Sequence, residues 1–148
     1  MNTDNTARLP LLRSALLRQI DLNGNWRFVA GLWDVFENED DLLRAAQQRW
    51  FTALGAAIEV AIETGDGDLT GDVRKAYAAA ASRHAGTRRL LDENQHHPAI
   101  EASVRREHAL VARAAGVAHS GEVIETARQQ VGFPGPRKSL FSRVLARA

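Results

Sequence analysis

At 148 residues with a net charge of +1, the chain is long enough for one domain with a real core, and 45% apolar content excludes disorder throughout. It has no cysteine, which excludes disulfides, thiol catalysis and thiolate metal sites. Its 25 Ala and 17 Arg against 2 Lys favour helix, and the Arg-over-Lys bias points to a GC-rich, bacterial genome.

Asp4, Arg8, Arg13 and Arg18 break up any signal-peptide core at the start of the chain. A first helix is expected from about Thr6, with Pro10 in its first turn and Leu9, Leu12, Leu16 and Ile20 inward. Asn23-Gly24-Asn25 ends it and caps a second helix, Trp26 to Glu37. On a helical wheel Trp26, Phe28, Val29, Leu32, Trp33, Val35 and Phe36 fill about half of that helix, which calls for two packing neighbours. With Trp50 on the next helix, these rings are expected to form one aromatic cluster.

Asn38-Glu39-Asp40-Asp41 places acids at the positive end of a third helix, which runs to about Thr64 and stops at Gly65-Asp66-Gly67. Its apolar stripe is Leu43, Ala46, Trp50, Leu54, Ala57 and Ala61, and its longest uncharged run, Trp50 to Ile58, is far short of the roughly 18 residues a membrane span requires. A fourth helix starts near Thr70 as N-cap, carries Tyr77 and the run Ala78 to Ala81 that lets another helix approach closely, and ends near Gly86. Thr87 then caps a short helix through Asn94, with Leu90 and Leu91 inward. Pro98 opens a helix with a seam of Ile100, Val104, Val111 and Ala115 that ends at Gly116. Ser120 caps a last helix to Val131, with Val123, Ile124 and Ala127 inward.

The expected fold is therefore all-α: a compact bundle of about six helices over residues 1–131, built on the second, third and fourth. A Pro/Gly hinge and a basic amphipathic tail follow over residues 132–148. Of the net +1, the tail carries +4 with no acid, which leaves −3 on the body. A body of that sign is a poor general binder of nucleic acid.

Motifs that carry chemistry are sparse. No Gly-x-Ser-x-Gly elbow, phosphate-cradling loop or His-Glu-x-x-His occurs. Gly65-Asp66-Gly67-Asp68 lacks the alternating acids and closing Glu of a calcium loop and reads as a polar turn. Glu93-x-x-His96 has the spacing by which ferritin-like bundles present a carboxylate and an imidazole to a metal pair, and Glu101 and His108 share a helix face that would add ligands. A second such motif is missing, because Leu110 stands three residues after Glu107. His84 reads as a neutral, hydrogen-bonded interior histidine. Over residues 108–131 the chain has a degenerate helix-turn-helix pattern: Val111 to Val117 resembles its first helix and turn, and Ser120 would cap its second helix. Glu122 and Glu125 beside Arg128 would repel phosphates there.

The tail gives the stronger lead. Ser139 caps a helix of about ten residues in which Leu140, Phe141, Val144 and Leu145 form one apolar arc. Arg143 and Arg147 lie together outside it, and Arg137 and Lys138 precede it. So short a helix is marginal alone in water, so its apolar side must be buried on its own body, a second copy or another protein. The expectation is a soluble, cytoplasmic, non-catalytic interaction or regulatory protein without a cofactor, docking through this tail or through the Trp-rich helix. A DNA-binding regulator and a ferritin-like metal bundle are the alternatives.

Overall fold

The computed structural model describes residues 3–132. Within them run seven α-helices and one 3-10 turn: α1 (Thr3–Asn23), the turn Trp26–Phe28, α2 (Leu32–Val35), α3 (Glu39–Thr64), α4 (Leu69–Arg83), α5 (Ala85–Glu93), α6 (Glu101–Ala115) and α7 (Gly121–Gln130). The described residues contain no strand, so the all-α class holds. No helix among them is long and apolar enough to cross a membrane.

Local chemistry sets most of the helix ends. Asn38 accepts a hydrogen bond from the Asp41 amide at 2.9 Å, and Glu39, Asp40 and Asp41 lie in the first turn of α3, where the helix dipole favours carboxylates. Asp68 rather than Thr70 caps α4, accepting from the Gly71 amide at 3.1 Å. Thr70 instead donates its hydroxyl to the Ala115 carbonyl, 3.2 Å away, and so satisfies an end carbonyl of α6. Gly116 closes α6 in the left-handed conformation with φ of 68°, and Val117 donates back to Ala112 at 3.0 Å.

The long pair α3 and α4 forms the centre. On α4 pack α6 and α7; α5, α6 and α1 close the remaining sides. Trp50 and Tyr77 are the largest buried side chains and meet edge to face at 5.3 Å between ring centroids. Around them lie Ile20, Phe36, Leu42, Leu43, Leu54, Val73, Leu90, Leu91, Ile100 and Val111, all fully enclosed. Each such side chain contributes about 1.5–3 kcal/mol by leaving water.

Residues 26–37 do not form one helix. Asn25 accepts from the Arg27 amide and starts a single 3-10 turn, Val29 is extended, and Gly31 turns the chain at φ of 81° before the one-turn α2. A non-glycine residue at that φ would be strained, and a continuous helix cannot contain it. The break lets Leu32 and Phe36 enter the core while Phe28 and Trp33 stay exposed at 75% and 55%. No single aromatic cluster forms: Trp50 is interior, whereas Trp26 donates its indole N–H to Glu93 at the surface. In α1 the helix begins before Thr6, so Pro10 lies inside it, and Leu17 and Ile20 are the buried positions while Leu9 and Leu12 remain exposed.

The join between α4 and α5 is made from outside. His84 ends one helix and precedes the next without offering a side-chain cap. Asp21 of α1 supplies it, accepting from the Thr87 amide at 2.8 Å and lying 3.0 Å from His84 Nδ1. Arg49 of α3 donates to the same carboxylate at 3.2 Å. Thr87, expected as a cap, is instead buried in the first turn of α5. Close approach of α1 depends on Gly86, where a Cβ would stand 1.8 Å from the Ile20 carbonyl oxygen. Gly86→Ala is expected to cost about 3 kcal/mol, since backbone must move to relieve the overlap. Gly121→Ala, with nothing within 4 Å of its Cβ, should change stability by less than about 1 kcal/mol. Urea unfolding of the two variants checks the contrast.

Candidate functional site

Two features stand apart from the apolar core: a buried network of charges and an open groove. The network centres on Arg88 of α5. Its Nε donates to Asp92 at 3.0 Å, its Nη1 lies 3.7 Å from Glu107 Oε1, and its guanidinium sits 4.8 Å from the Trp50 ring centroid. Asp92 also takes two bonds from Arg128 of α7, one of 3.1 Å to Oδ1 and a second to Oδ2. Glu107 of α6 accepts from Gln47 of α3 at 3.1 Å. Two cations and two carboxylates thus balance in the interior. Burial pushes the Tyr77 phenol above its ordinary pKa of 10.0, against the pull of nearby Arg88. Every charge is engaged within the network, and none of its members lines the groove, so its chemistry is structural.

The groove runs along the outer side of α3 and α4 and encloses about 620 Å³. Ala53, Ala56, Ala57, Val60 and Ala61 of α3 and Ala76, Ala79 and Ala80 of α4 form an almost wholly alanine floor. From Ala53 to Gly65 it extends about 18 Å at the helical rise. At one end Asp72 enters the lining. It is only 6% exposed, and its Oδ2 has no hydrogen-bond partner among the described residues. Its carboxyl group occupies the space that a side chain at residue 65 would fill, a Cβ on Gly65 lying 2.0 Å from Oδ2. At the other end stand Arg83 and His84. Asp21 holds the His84 ring, but Thr64, the one hydroxyl in the lining, is at the opposite end. A nucleophile and base are therefore not brought together.

The residues singled out as metal ligands are dispersed. Glu93 is held by Trp26, Arg27 and Arg89. Burial alone would raise its pKa, but those three donors outweigh it and keep the carboxyl below its usual range. His96 is exposed in the turn after α5, Glu101 pairs with Arg105 at 3.6 Å, and His108 is exposed on α6. Among the described residues no group of three His, Asp or Glu gathers as a metal would require. In the helix-turn-helix segment, Arg128 is buried against Asp92, and the outward face of α7 presents Glu122, Glu125, Gln129 and Gln130. The tail residues Arg137, Lys138, Leu140, Phe141, Arg143, Val144, Leu145 and Arg147 lie outside the described residues.

The groove was not legible as such. The alanines of α4 stood out, but those of α3 gain meaning only when the two helices lie side by side. No protein-family model matches the chain, and no curated protein or solved structure does.

Arg128→Ala should destabilise the fold by about 3–5 kcal/mol by leaving Asp92 buried without its second partner. Replacing Arg128 and Asp92 together by Met and Leu should recover most of that loss, as chemical denaturation of the pair will show. Tyr77 is the sole tyrosine, so phenolate absorbance reports it alone. Because its folded pKa is raised, the stability it contributes is complete below the unfolded value of 10.0 and declines as pH rises above it. Ionisation is expected to coincide with alkaline unfolding, and a freely titrating phenol near pH 10 in the folded protein would contradict the burial effect.

Proposed function

We propose that this chain is a non-catalytic, cytoplasmic interaction protein whose α3–α4 groove accepts the apolar side of a short, basic amphipathic helix from another protein or from a copy of itself. The observation that carries the reading is the groove itself: an apolar trough about three helical turns long, ending on a buried carboxylate with one unpartnered oxygen. Alanine floors let a third helix approach to about 8 Å, the close end of helix packing. Docked apolar side chains then fill volume that the floor leaves open. Asp72 is the specificity element, since an unpaired buried carboxylate gains most from an incoming guanidinium or ammonium. The lack of cysteine fits a reducing compartment.

The acids at the Gly65 end of the groove favour a basic group there, while Lys75 and Arg83 line it further along α4. Residues 59–72 contain Glu59, Glu63, Asp66, Asp68 and Asp72 and no Lys or Arg. The DNA-binding alternative gains nothing comparable, because the arginine it relied on is paired inside the fold.

A synthetic peptide of sequence 137–148 serves as probe. It is titrated into the full chain carrying Phe141→Asp and Leu145→Asp, whose own tail has lost its apolar arc. Saturable shifts are expected in the methyl resonances of Ala56, Val60 and Ala79, with affinity falling about tenfold when Asp72→Asn removes the charge-assisted bond. Shifts confined to other surfaces, or none, would sink the reading.

A further inference from the structure

We propose that the groove selects a partner helix of defined charge polarity. One end of that helix's apolar stripe carries Lys or Arg and meets Asp72; the other, about eleven residues away, carries Asp or Glu and meets Arg83 and His84. This rests on the reading of the groove as a helix-accepting site. It adds an acid to the basic group already assigned to the ligand, and it says which way round the ligand lies.

Charge is segregated along the α4 wall. Asp72, Lys75 and Arg83 all line the groove. Asp72 and Arg83 stand eleven residues apart. That is about three turns or 16 Å, so they share one side of α4 at opposite ends of the floor. Around buried Asp72 the exposed Glu63, Asp66 and Asp68 make the Gly65 end acidic. At the far end Arg83 is exposed beside His84, and the carboxylate held against His84, Asp21, is already engaged by the Thr87 amide and Arg49. Neither Lys75 nor Arg83 makes an ion pair among the described residues. The dipole of α4 favours an acid in its first turn and a base in its last, which accounts for where Asp72 and Arg83 fall along the helix. It does not account for both facing the groove, nor for a buried carboxylate oxygen left without a donor.

These charges reject the simpler ligands. A helix that is basic throughout gains at Asp72 but meets two cations further along, because Lys75 lies one turn from Asp72 and Arg83 closes the far end. A helix that is acidic throughout suits Arg83 but sets a like charge against Asp72. Only a base at one end and an acid at the other answers both. The floor itself cannot choose a direction, since alanine offers no large knobs to fix one. Orientation therefore follows charge rather than chain direction. A ligand with its two charges exchanged lies end for end in the groove and still binds.

Two synthetic peptides test this, each held helical by a lactam on its outer side and sharing one leucine stripe. In the first, a Lys precedes a Glu by about eleven residues; in the second the two are exchanged. Each is prepared with a nitroxide beside its Lys or beside its Glu. All are titrated into the full chain carrying Phe141→Asp and Leu145→Asp. In both peptides the nitroxide beside Lys should broaden the Ala61 methyl resonance more than that of Ala53, and the nitroxide beside Glu should do the reverse. Replacing the Glu of either peptide by Lys should weaken binding about threefold, and Arg83→Glu in the protein should invert that preference. Broadening that follows chain direction, equal broadening at the two ends, or an unchanged preference in Arg83→Glu overturns the proposal. If the 137–148 peptide moves the groove methyls and neither of these two does, the groove still accepts helices and only the polarity rule is wrong. If no peptide moves them, the groove reading falls too.

Discussion

Arg88 cannot shed its proton, so once α5 carries it into the interior the surrounding helices must answer its charge. Asp92 does so from one turn further on, Glu107 from α6 and the Trp50 ring from α3. Asp92 in turn holds Arg128 of α7, and Gln47 steadies Glu107. Four helices are fixed to one another through a set of charges that sums to zero. Hydrophobic burial is non-directional, and a bundle rich in alanine offers few large knobs to stop one helix sliding on the next. We infer that the network sets the register of α5, α6 and α7 against α3. Its stabilising value over an apolar replacement is small, whereas the penalty for breaking it is large, and that asymmetry is what a register device needs.

With that side of α3 and α4 sealed, the opposite side is free to do something else. The same helix that turns Trp50, Leu54 and Ile58 inward turns Ala53, Ala56 and Ala57 outward into the groove. Alanine exposes little apolar area, so such a face adds little apolar surface when empty and leaves room for the large side chains of the proposed ligand. A leucine-lined trough of the same shape would risk association with any apolar surface. Asp72 adds polarity to one end of this face. A buried carboxylate oxygen without a partner costs the fold free energy that Asn or Ala would avoid, and the gap at Gly65 is what allows it to remain there.

Much of this architecture was readable in advance, and the reasons for the exceptions are specific. Asn38, Gly116 and the acids of the first turn of α3 mark helix ends through chemistry local to the chain. The stripe of Val123, Ile124 and Ala127 follows from helical period alone, and all three are buried. Trp26 to Glu37 failed because a wheel assumes the helix it draws; the left-handed turn at Gly31 is chosen by what Leu32 and Phe36 must reach. Arg128 read as solvent-facing because an arginine beside two glutamates and two glutamines looks like a surface. The i,i+4 spacing of Arg88 and Asp92 was the available hint, but only the fold shows Arg88 buried and Asp92 partly buried, with α6 and α7 against them. The capping of α5 by Asp21 is a contact across more than sixty positions, and no local pattern announces it.

The distribution of charge gives these pieces a common logic. Residues 59–72 gather five acids without a base, with Lys75 and Arg83 of the groove lining further along α4, while residues 132–148 gather four bases without an acid. Segments of opposite charge attract each other, and salt weakens that attraction over a Debye length of about 8 Å in physiological conditions. An apolar contact at the same place does not share the salt dependence. A ligand held by both in the proposed docking groove would respond to competitors in two separable ways. A basic amphipathic helix contests the alanine floor and Asp72 directly. A polyanion or acidic protein would contest only the charges of such a ligand, while its apolar side resists. The second kind of competitor would free the groove only by adding enough electrostatic attraction to outweigh the ligand's buried apolar side chains, which a single exposed ion pair, at about 1 kcal/mol or less, does not provide.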